Sequence, residues 1–418
     1  MSTASSTSSA ALDFPGPPPK SPDLLIVGGG IVGLWCAARA VEAGLNTVLL
    51  EKGRLGQGAS GGFLGALMPH QPTQWIEEKA FQLDALLSLE KEISALEVKT
   101  DITCGYLRCG RLIPTRTEKK RRERPAWHDA AKQEWPETSP TGASIGWHIL
   151  DTAPDPTWLS SKYSPLGAEF ETLSARLNPR RFVAALTNLA NTKAHVLENA
   201  EAVSLGDGSR VTLADGTVFT PGRVIVTAGR HSFGLLEPIA QRNLGRGVKG
   251  QAALLKPRHP INPDQPILYY GGLYVIAHAD NRVAVGSTSE ITFTHPTNTT
   301  AKLDDLIARA ADLCPALQQA ETIERWAGVR PNAIGRQPII GPLPEAPRMI
   351  VNTGGFKISF GIAHKMADAA LSYVSGTVPS LPKSFEVATH YACADSNSRG
   401  SGFTTLTTAP SGAHCAGG

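Results

Sequence analysis

Three glycines near the start of the chain have the spacing of a phosphate-binding turn. Gly28, Gly30 and Gly33 form the pattern G-x-G-x-x-G, and an acidic residue, Glu51, follows farther along. In such a turn the first glycine allows a tight bend, the second lets the backbone approach a pyrophosphate, and the third lets a helix pack closely on a strand. A carboxylate placed like Glu51 can accept hydrogen bonds from ribose hydroxyls. These four residues predict a dinucleotide site.

The segments around these residues are the ones that such a site needs. Asp23–Val27 is typical of a short buried strand, Leu34–Ala43 of a helix, and Asn46–Leu50 of a second strand. The N-terminus of the helix would offer unpaired N–H groups and the positive end of its dipole to the phosphates. A chance glycine-rich loop is the alternative, but strand, turn, helix, strand and acid in this order are far more specific than the glycines alone.

The bulk composition is typical of a globular enzyme. The chain has 418 residues, with 40 lysines and arginines against 37 acidic residues, so its formal net charge is +3. This length suits two domains, and the balanced charge argues against nucleic acid or a membrane surface as the main partner. We find no stretch with the length and apolarity of a membrane span and no secretory signal. Of the six cysteines, Cys104 and Cys109 have neither metal-ligand nor redox-motif spacing, and we predict a reduced, cytoplasmic protein with no disulfide framework and no metal site.

Strands that end in glycine turns recur in the middle and near the end of the chain. Arg223–Val226 runs into Ala228 and Gly229, and Gly354 and Gly355 precede a helix expected over 362–375. β-rich stretches lie between them, so we predict an α/β fold in which a Rossmann-like nucleotide-binding domain carries an inserted antiparallel-sheet (α+β) domain. The predicted division is a disordered tail at 1–21, the nucleotide-binding domain at 22–100, 176–245 and 333–380, the inserted domain at 101–175 and 246–332, and a C-terminal tail at 381–418.

Other segments have their own predictions. Glu77–Leu96 is expected to be a helix, and Asn178 is expected to cap another helix that has Pro179 at its first position. Because proline and glycine are frequent over 135–165, we expect loops there. The basic run Thr117–Arg124 could contact RNA, but a solvated helix face is favoured. Residues 395–418, rich in Ser, Thr and Gly, are expected to be unstructured.

The whole layout resembles the family of FAD-dependent enzymes that includes D-amino-acid oxidase, glycine oxidase and sarcosine oxidase. The resemblance covers roughly residues 22–378. It implies that the nucleotide-binding domain is an FAD-binding domain and that the inserted domain is a substrate domain, which lies over one face of the isoalloxazine. Members oxidise a C–N bond by hydride transfer to flavin N5; the imine product hydrolyses, and oxygen or another acceptor takes the electrons. The motifs that carry the resemblance are Val27–Gly33 with Glu51, Gly58–Gly62, Val224–Gly229, Gly328–Pro331 with Pro338–Gly341, and Gly354–Ser359.

The resemblance also implies roles for individual side chains. Arg330 resembles the family's carboxylate-binding arginine, Lys357 a lysine that meets the same carboxylate in sarcosine-oxidase-like enzymes, and Tyr274 a tyrosine of the substrate-domain sheet. A guanidinium can hold a carboxylate with two parallel hydrogen bonds. The residues expected to contact FAD are Gly28, Gly30, Ile31, Val32, Gly33, Glu51, Lys52, Ala59, Ser60, Gly61, Ala228, Gly229, Gly354, Gly355, Phe356, Lys357 and Ile358.

Each of these roles has an ordinary structural alternative. Arg330 could pair with a structural acid, Lys357 could be a solvated lysine, and Tyr274 could be a packing residue. Tyr269 and Tyr270 compete with Tyr274. Two histidines, His70 and His364, could lie near the flavin or serve only in packing.

The chain departs from the family pattern at two places. Arg325–Gly335 has no cysteine and Ala59–Gly62 no histidine of the kind that attaches FAD, so we expect FAD to bind non-covalently. Ala284 falls where sarcosine-oxidase-like enzymes place an oxygen-activating lysine, so the choice between oxidase and dehydrogenase stays open.

The leading hypothesis is an FAD-dependent amine oxidoreductase that acts on a small amino acid, namely glycine, a D-amino acid or an N-methylated one. A second hypothesis is oxidation of an RNA-borne carboxymethylaminomethyl group, as in tRNA-modifying oxidase domains built on the same plan. A third is a flavoprotein subunit that needs a partner. The sequence does not predict an oligomeric state.

Overall fold

Two large β-sheets organise the chain. The computed structural model describes residues 17–399. The helices are α1 (Ile31–Glu42), α2 (Glu77–Thr100), α3 (Glu118–Glu134), α4 (Pro179–Asn191), α5 (His231–Ala240), α6 (Ala301–Leu313), α7 (Ser359–Val374) and α8 (Val387–Arg399). The strands are β1 (Leu24–Val27), β2 (Thr47–Leu50), β3 (Ala66–Leu67), β4 (Arg111–Pro114), β5 (Trp147–Leu150), β6 (Ala168–Glu171), β7 (Ala175–Arg176), β8 (His195–Leu197), β9 (Ala202–Leu205), β10 (Val211–Leu213), β11 (Val218–Phe219), β12 (Arg223–Val226), β13 (Gly245–Lys256), β14 (Ile267–Tyr270), β15 (Leu273–His278), β16 (Arg282–Gly286), β17 (Glu321–Ala333), β18 (Ile339–Leu343) and β19 (Ala346–Thr353).

The first sheet has six strands in the order β18-β19-β12-β1-β2-β8. Its neighbouring strands are parallel except β18, which is antiparallel to β19. Every residue of β1 is buried, as expected for a parallel strand covered on both faces. Leu24 and Ile26 face α1, α4 and α7, whereas Leu25 and Val27 face α5 and the small sheet β11-β10-β9. Because the strands are parallel, the turns after β1, β2, β12 and β19 meet at one edge.

The second sheet has eight strands in the order β17-β13-β16-β15-β14-β4-β6-β5. Its pairs are antiparallel apart from β14 and β4, which run parallel. Helix α6 packs on one face. The opposite face carries Ile276, Tyr274 and Trp326, and it packs against Phe63 in the segment that follows β2. The second sheet therefore presents Tyr274 and Trp326 on the side of the glycine loops.

Several predicted elements are confirmed with small shifts in their limits. The first helix begins at Ile31 rather than Leu34, because Gly30 itself is its N-cap. The helix expected at Glu77–Leu96 is α2, one turn longer than predicted. Asn178 caps α4 by accepting hydrogen bonds from two backbone N–H groups, as expected. The limits of the two domains along the chain stay a prediction.

Three sequence predictions are wrong in part. Residues 135–165 are not all loop, because β5 pairs there with β6 as a four-residue edge strand. The basic run is not wholly solvated, because the buried Arg124 donates to Thr115 Oγ1 (2.8 Å) and lies near Glu169. The segment expected to be a C-terminal tail contains α8, whose Val387 and Tyr391 are buried against the first sheet. Residues 1–16 of the predicted N-terminal tail and 400–418 of the C-terminal one lie outside the described residues.

Candidate active site

The glycine turn after β1 is packed tightly against the turn after β12. Gly28 has a φ of +111°, and a Cβ there would lie 2.6 Å from the Cα of Ala228. A Cβ on Gly33 would lie 1.8 Å from the carbonyl oxygen of Gly28. These glycines are therefore required by the backbone packing of the protein itself. The role predicted for Gly33, close packing of helix on strand, agrees with this geometry.

Gly30, unlike Gly28 and Gly33, has open space where a side chain would be. Its backbone is extended (φ −78°, ψ −176°), and a Cβ would meet only Ser60 Oγ, at 3.4 Å. The same hydroxyl accepts a hydrogen bond from the backbone N–H of Ile31 (3.0 Å) and so occupies one of the open donors of α1. The space beside Gly30 is the approach that a pyrophosphate would use.

Glu51 follows β2 and holds the neighbouring turns together. Its carboxylate accepts hydrogen bonds from the backbone N–H groups of Gly29 (2.8 Å) and Gly53 (3.0 Å). A carboxylate has about four acceptor positions. Glu51 can therefore accept further bonds from ribose hydroxyls without releasing the glycine turn.

One cavity of about 950 Å³ joins these turns to the second sheet. All of the predicted site residues line it except two, Gly33 and Gly61. Gly61 instead lies against the backbone of Gly56, and its carbonyl accepts a hydrogen bond from Arg180. The structure thus brings together segments that are far apart in sequence, with the glycine turn at one end of the cavity and Arg330, Tyr274 and Lys357 elsewhere in its wall.

Arg330 lies on β17 and is held by neutral groups. Its Nη1 donates to Ser287 Oγ (3.0 Å) and its Nη2 to the carbonyl oxygen of Thr288 (2.7 Å). A Cβ on Gly250, in the adjacent strand, would lie 2.0 Å from Nη2, so a glycine there leaves room for the guanidinium. The Nε of Arg330 is buried and makes no hydrogen bond within residues 17–399. The guanidinium is oriented, yet its charge remains uncompensated.

Lys357 adds a second positive charge near Arg330. Its Nζ lies 5.7 Å from the centre of the Phe356 ring, and the guanidinium carbon of Arg330 lies 5.5 Å from that ring. Burial, reinforced by the nearby Arg330, lowers the pKa of Lys357 to about 8. Neither cation has a carboxylate partner in the part of the chain that the structure describes. Two like charges that line the same cavity, Arg330 partly buried and Lys357 more exposed, favour an anionic ligand.

Tyr274 lines the cavity near Arg330. Its hydroxyl has no hydrogen-bond partner among the described residues, and burial raises the pKa of Tyr274 to about 12. The hydroxyl therefore stays protonated and can donate a hydrogen bond. Tyr269 packs on the Tyr274 ring, with centroids 5.1 Å apart, and neither it nor Tyr270 lines the cavity. Of the three competing tyrosines, only Tyr274 lines the cavity.

The two histidines left open by the sequence lie elsewhere. His70 does not line the cavity. His364 is buried on α7, where its Nε2 lies 3.0 Å from Ser88 Oγ and its ring packs near Trp35. Ala284 is fully buried in an apolar cluster. No group of three potential metal ligands occurs within residues 17–399, and none of the helices there has the length and apolarity needed to cross a membrane.

Sequence reasoning missed several residues of the cavity wall. Trp326 lies over Gly62 and Gly328, where a Cβ would come within 3.2 Å and 2.4 Å of its ring. Ser287 lines the cavity beside Arg330. No motif marks either residue. Gly328, two residues after Trp326, was a usable signal, whereas Ser287 had none.

A family model described as FAD dependent oxidoreductase, abbreviated DAO, matches residues 23–369. The chain belongs to this family. It is an FAD-dependent oxidoreductase, as the sequence predicted. Curated relatives of this DAO protein include the glycine oxidase of Pseudomonas aeruginosa, 27% identical over 375 residues that cover 85% of this chain and 95% of the relative. The glycine oxidase of Geobacillus kaustophilus is 24% identical over 341 residues, covering 80% and 88%.

Solved DAO-fold structures superpose over most of the chain. Glycine oxidase from Geobacillus kaustophilus has a TM-score of 0.76 at 20% identity, covering 86% of this chain and 96% of its own. Iminodiacetate oxidase from Chelativorans sp. BNC1 has a TM-score of 0.77 at 20% identity, covering 87% and 98%. At this identity the likeness shows the fold, which confirms the predicted Rossmann-like domain with a separate antiparallel sheet.

The cavity of this DAO protein fits the dinucleotide cofactor of its family. The glycine turn, the start of α1 and Glu51 line the cavity, and Arg330 and Lys357 line it as well. The opening beside Gly30 is the clearest sign of fit, because only a glycine leaves the backbone accessible there. Gly28–Val32 would hold the pyrophosphate and Glu51 a ribose, while Gly354–Ile358 would line the cavity near the cationic end.

Proposed function

We propose that this enzyme oxidises the C–N bond of a small amino acid, either glycine, a D-amino acid or an N-methylated amino acid. The observation that supports the proposal is the pair of uncompensated cations, Arg330 and Lys357, in a cavity continuous with the dinucleotide turn. Glycine oxidase activity is carried by relatives of modest identity. A second cavity of about 450 Å³, which shares Ser287 and Lys357 with the first, leaves room for a substituent on the substrate.

The chain's own residues would act by binding and orientation. The guanidinium of Arg330 would hold the substrate carboxylate, with Lys357 as a second cation and the Tyr274 hydroxyl as a further donor. Bound FAD would accept the hydride that leaves the α-carbon. The nitrogen lone pair would form the C=N bond as the hydride leaves with both electrons of the C–H bond, and water would hydrolyse the imine to an oxo acid and an amine or ammonia. Oxygen or another acceptor would complete the cycle.

An anaerobic titration tests this proposal. The purified holoenzyme is mixed with glycine, sarcosine, N-carboxymethylglycine and a panel of D-amino acids while the visible flavin spectrum is recorded. We expect one class to bleach the flavin band, because hydride uptake removes the oxidised chromophore. Readmitting air then separates an oxidase, which regains the band at once, from a dehydrogenase. Acid precipitation of the same sample should release the flavin into the supernatant, since we propose non-covalent binding.

Two kinds of titration result would count against the proposed function. A flavin band that none of these amino acids bleaches would contradict oxidation of a small amino acid. Bleaching by an RNA-borne amine alone, or only after a second protein is added, would favour the corresponding alternative.

The affinity for an amine-free carboxylate should depend on pH through Lys357. Because the pKa of Lys357 is lowered to about 8, the lysine is charged below this pH and becomes neutral above it. Acetate binding, measured by perturbation of the flavin spectrum, should be constant near pH 6.5 and weaken by about tenfold in total as the pH rises to 9.5. Acetate is used because it has no amine that titrates in this range.

Two variants test whether Lys357 causes the pH dependence of acetate binding. Lys357→Arg should keep the tight binding across the range, because arginine stays charged. Lys357→Met should show the weak, high-pH affinity throughout. A pH dependence that survives in Lys357→Met would assign the titration to another group.

A further inference from the structure

The orientation of Arg330 depends on the segment that follows β16. Both of its hydrogen-bond acceptors, Ser287 Oγ and the carbonyl oxygen of Thr288, belong to this segment. A guanidinium has five N–H donors, so three remain for a ligand after these two bonds. Whatever fixes Thr288 therefore also fixes the direction in which Arg330 presents its remaining donors.

Thr288 is fixed by a buried glutamate two residues farther on. Glu290 is 8% exposed, and its carboxylate accepts a hydrogen bond from Thr288 Oγ1 (2.7 Å). The same carboxylate oxygen accepts a bond from Gln251 Nε2 (2.7 Å), and the backbone N–H of Gln251 donates to Thr288 Oγ1 (2.9 Å). The Thr288 hydroxyl thus donates to Glu290 and accepts from Gln251, and these two bonds constrain the position of Thr288.

Glu290 is itself anchored in the second sheet. Its backbone N–H and carbonyl pair with Lys249 of β13 at 2.9 and 2.8 Å. Burial alone would raise the pKa of Glu290, but the bonds from Gln251, Thr288 and Lys302 outweigh it and hold that pKa below its ordinary value. The carboxylate is therefore ionised at neutral pH and accepts these bonds in its stronger, charged form.

The ion pair of Glu290 with Lys302 is of a different kind. The Nζ to Oε2 distance is 3.1 Å, and the Lys302 side chain is 62% exposed. Exposed partners are screened by water and contribute little. The contacts that affect Arg330 are therefore the hydrogen bonds that Thr288 and Gln251 donate to Oε1 of Glu290. Mutation can separate these bonds from the ion pair with Lys302.

We propose that Glu290 is a positioning residue, which holds Thr288 so that Arg330 presents its free donors to the substrate carboxylate. The inference rests on the proposed function in that it takes Arg330 as the carboxylate-binding group. Glu290 lines the second cavity but not the main one, so toward acetate, which carries no substituent, it acts through Thr288 and Arg330. A merely structural glutamate would change stability without changing carboxylate affinity.

The test compares acetate binding by holoenzyme variants, read from the flavin spectrum, with flavin content and melting temperature recorded for each. Glu290→Ala should weaken acetate binding by about tenfold or more, because Thr288 loses its acceptor and the Arg330 donors are no longer aligned. Glu290→Gln should restore affinity to within about threefold, since an amide oxygen still accepts from both donors. Lys302→Ala, the matched control, should change affinity by less than about twofold, because acetate has no substituent to occupy the second cavity that Lys302 lines.

The same variants are followed by kinetics on whichever substrate the titration finds. Glu290→Ala should raise KM by about the factor seen for acetate and leave kcat within about twofold, as loss of a positioning effect on binding predicts. Should Glu290→Ala not fold, Thr288→Val removes the same hydroxyl contact while keeping the carbonyl, and the same loss of affinity is expected.

Three outcomes would overturn the inference. One is unchanged acetate affinity in Glu290→Ala with a lowered melting temperature, which would make the role structural. Another is an equal loss in Lys302→Ala, which would assign the effect to charge. The third is acetate affinity in the unmodified enzyme no better than in Arg330→Ala. If acetate behaves as expected but no amino acid bleaches the flavin, the positioning role stands and the proposed substrate fails.

Discussion

Replacing Arg330 by alanine is expected to raise KM for the amino-acid substrate by about 100-fold or more while FAD stays bound. The guanidinium is partly buried and has no acidic partner among the described residues, so a carboxylate that binds there would gain charge-assisted hydrogen bonds that water screens only in part. Truncating one partner of such a pair costs about 2–5 kcal/mol, and about 2.7 kcal/mol corresponds to 100-fold. Steady-state kinetics and the flavin content of the purified variant measure the two effects separately.

Two further variants interpret the result. Arg330→Lys keeps the charge but loses the planar pair of donors, so KM should lie between those of the alanine variant and the unmodified enzyme. Arg325→Ala is the matched control, because Arg325 lies on the same strand but pairs with Asp304 at the surface; its KM should be unchanged. An unaltered KM in Arg330→Ala would remove Arg330 from the substrate site.

The variants Gly30→Ala and Gly33→Ala are expected to lose different properties, FAD affinity in the first and stability of the fold in the second. A Cβ on Gly33 would lie 1.8 Å from a backbone oxygen, so Gly33→Ala should destabilise the fold itself by several kcal/mol, roughly the cost of the most disruptive point mutations. A Cβ on Gly30 meets only a hydroxyl at 3.4 Å, and the backbone there is extended. Gly30→Ala should fold normally and lose FAD affinity by about 100-fold, because the methyl group would occupy the approach of the pyrophosphate.

Thermal unfolding of the apoprotein and fluorescence titration with FAD distinguish the two cases. The apoprotein of Gly30→Ala should melt within a few degrees of the unmodified apoprotein and bind FAD weakly. Gly33→Ala should melt much lower or fail to accumulate. Normal FAD affinity in Gly30→Ala would mean that the cofactor does not pass beside this glycine.

The first sheet was predictable because its signals are local. Leu24–Val27, the glycine turn and Glu51 lie within one βαβ unit, so each residue type reports on its immediate neighbours. Arg330, Tyr274 and Lys357 come from three distant segments, and it was the family resemblance that suggested their convergence. The cavity that all three line joins elements of both sheets, through contacts that no short stretch of sequence encodes.

The elements that were missed depend on tertiary packing. β5 is four residues long, with two exposed positions, and it exists because β6 supplies its hydrogen bonds. α8 begins in a segment that we expected to be a tail, yet its Val387 and Tyr391 are buried against the first sheet. Ser287 and Glu290 acquire their importance only because the second sheet carries Arg330 to the same place. A residue whose role is to orient another residue carries no sequence signal of its own.

The strand order of the first sheet has a consequence for how the protein is made. β1 lies beside β12, and β12 lies beside β19, which begins at Ala346. With synthesis at about 5–20 residues per second, the ribosome reaches β19 roughly 15–65 seconds after completing β1. Until then one edge of β12 has no partner, and such an edge can pair with other chains. The cavity that would hold the cofactor is therefore completed only after β19 and the turn that follows it have been synthesised.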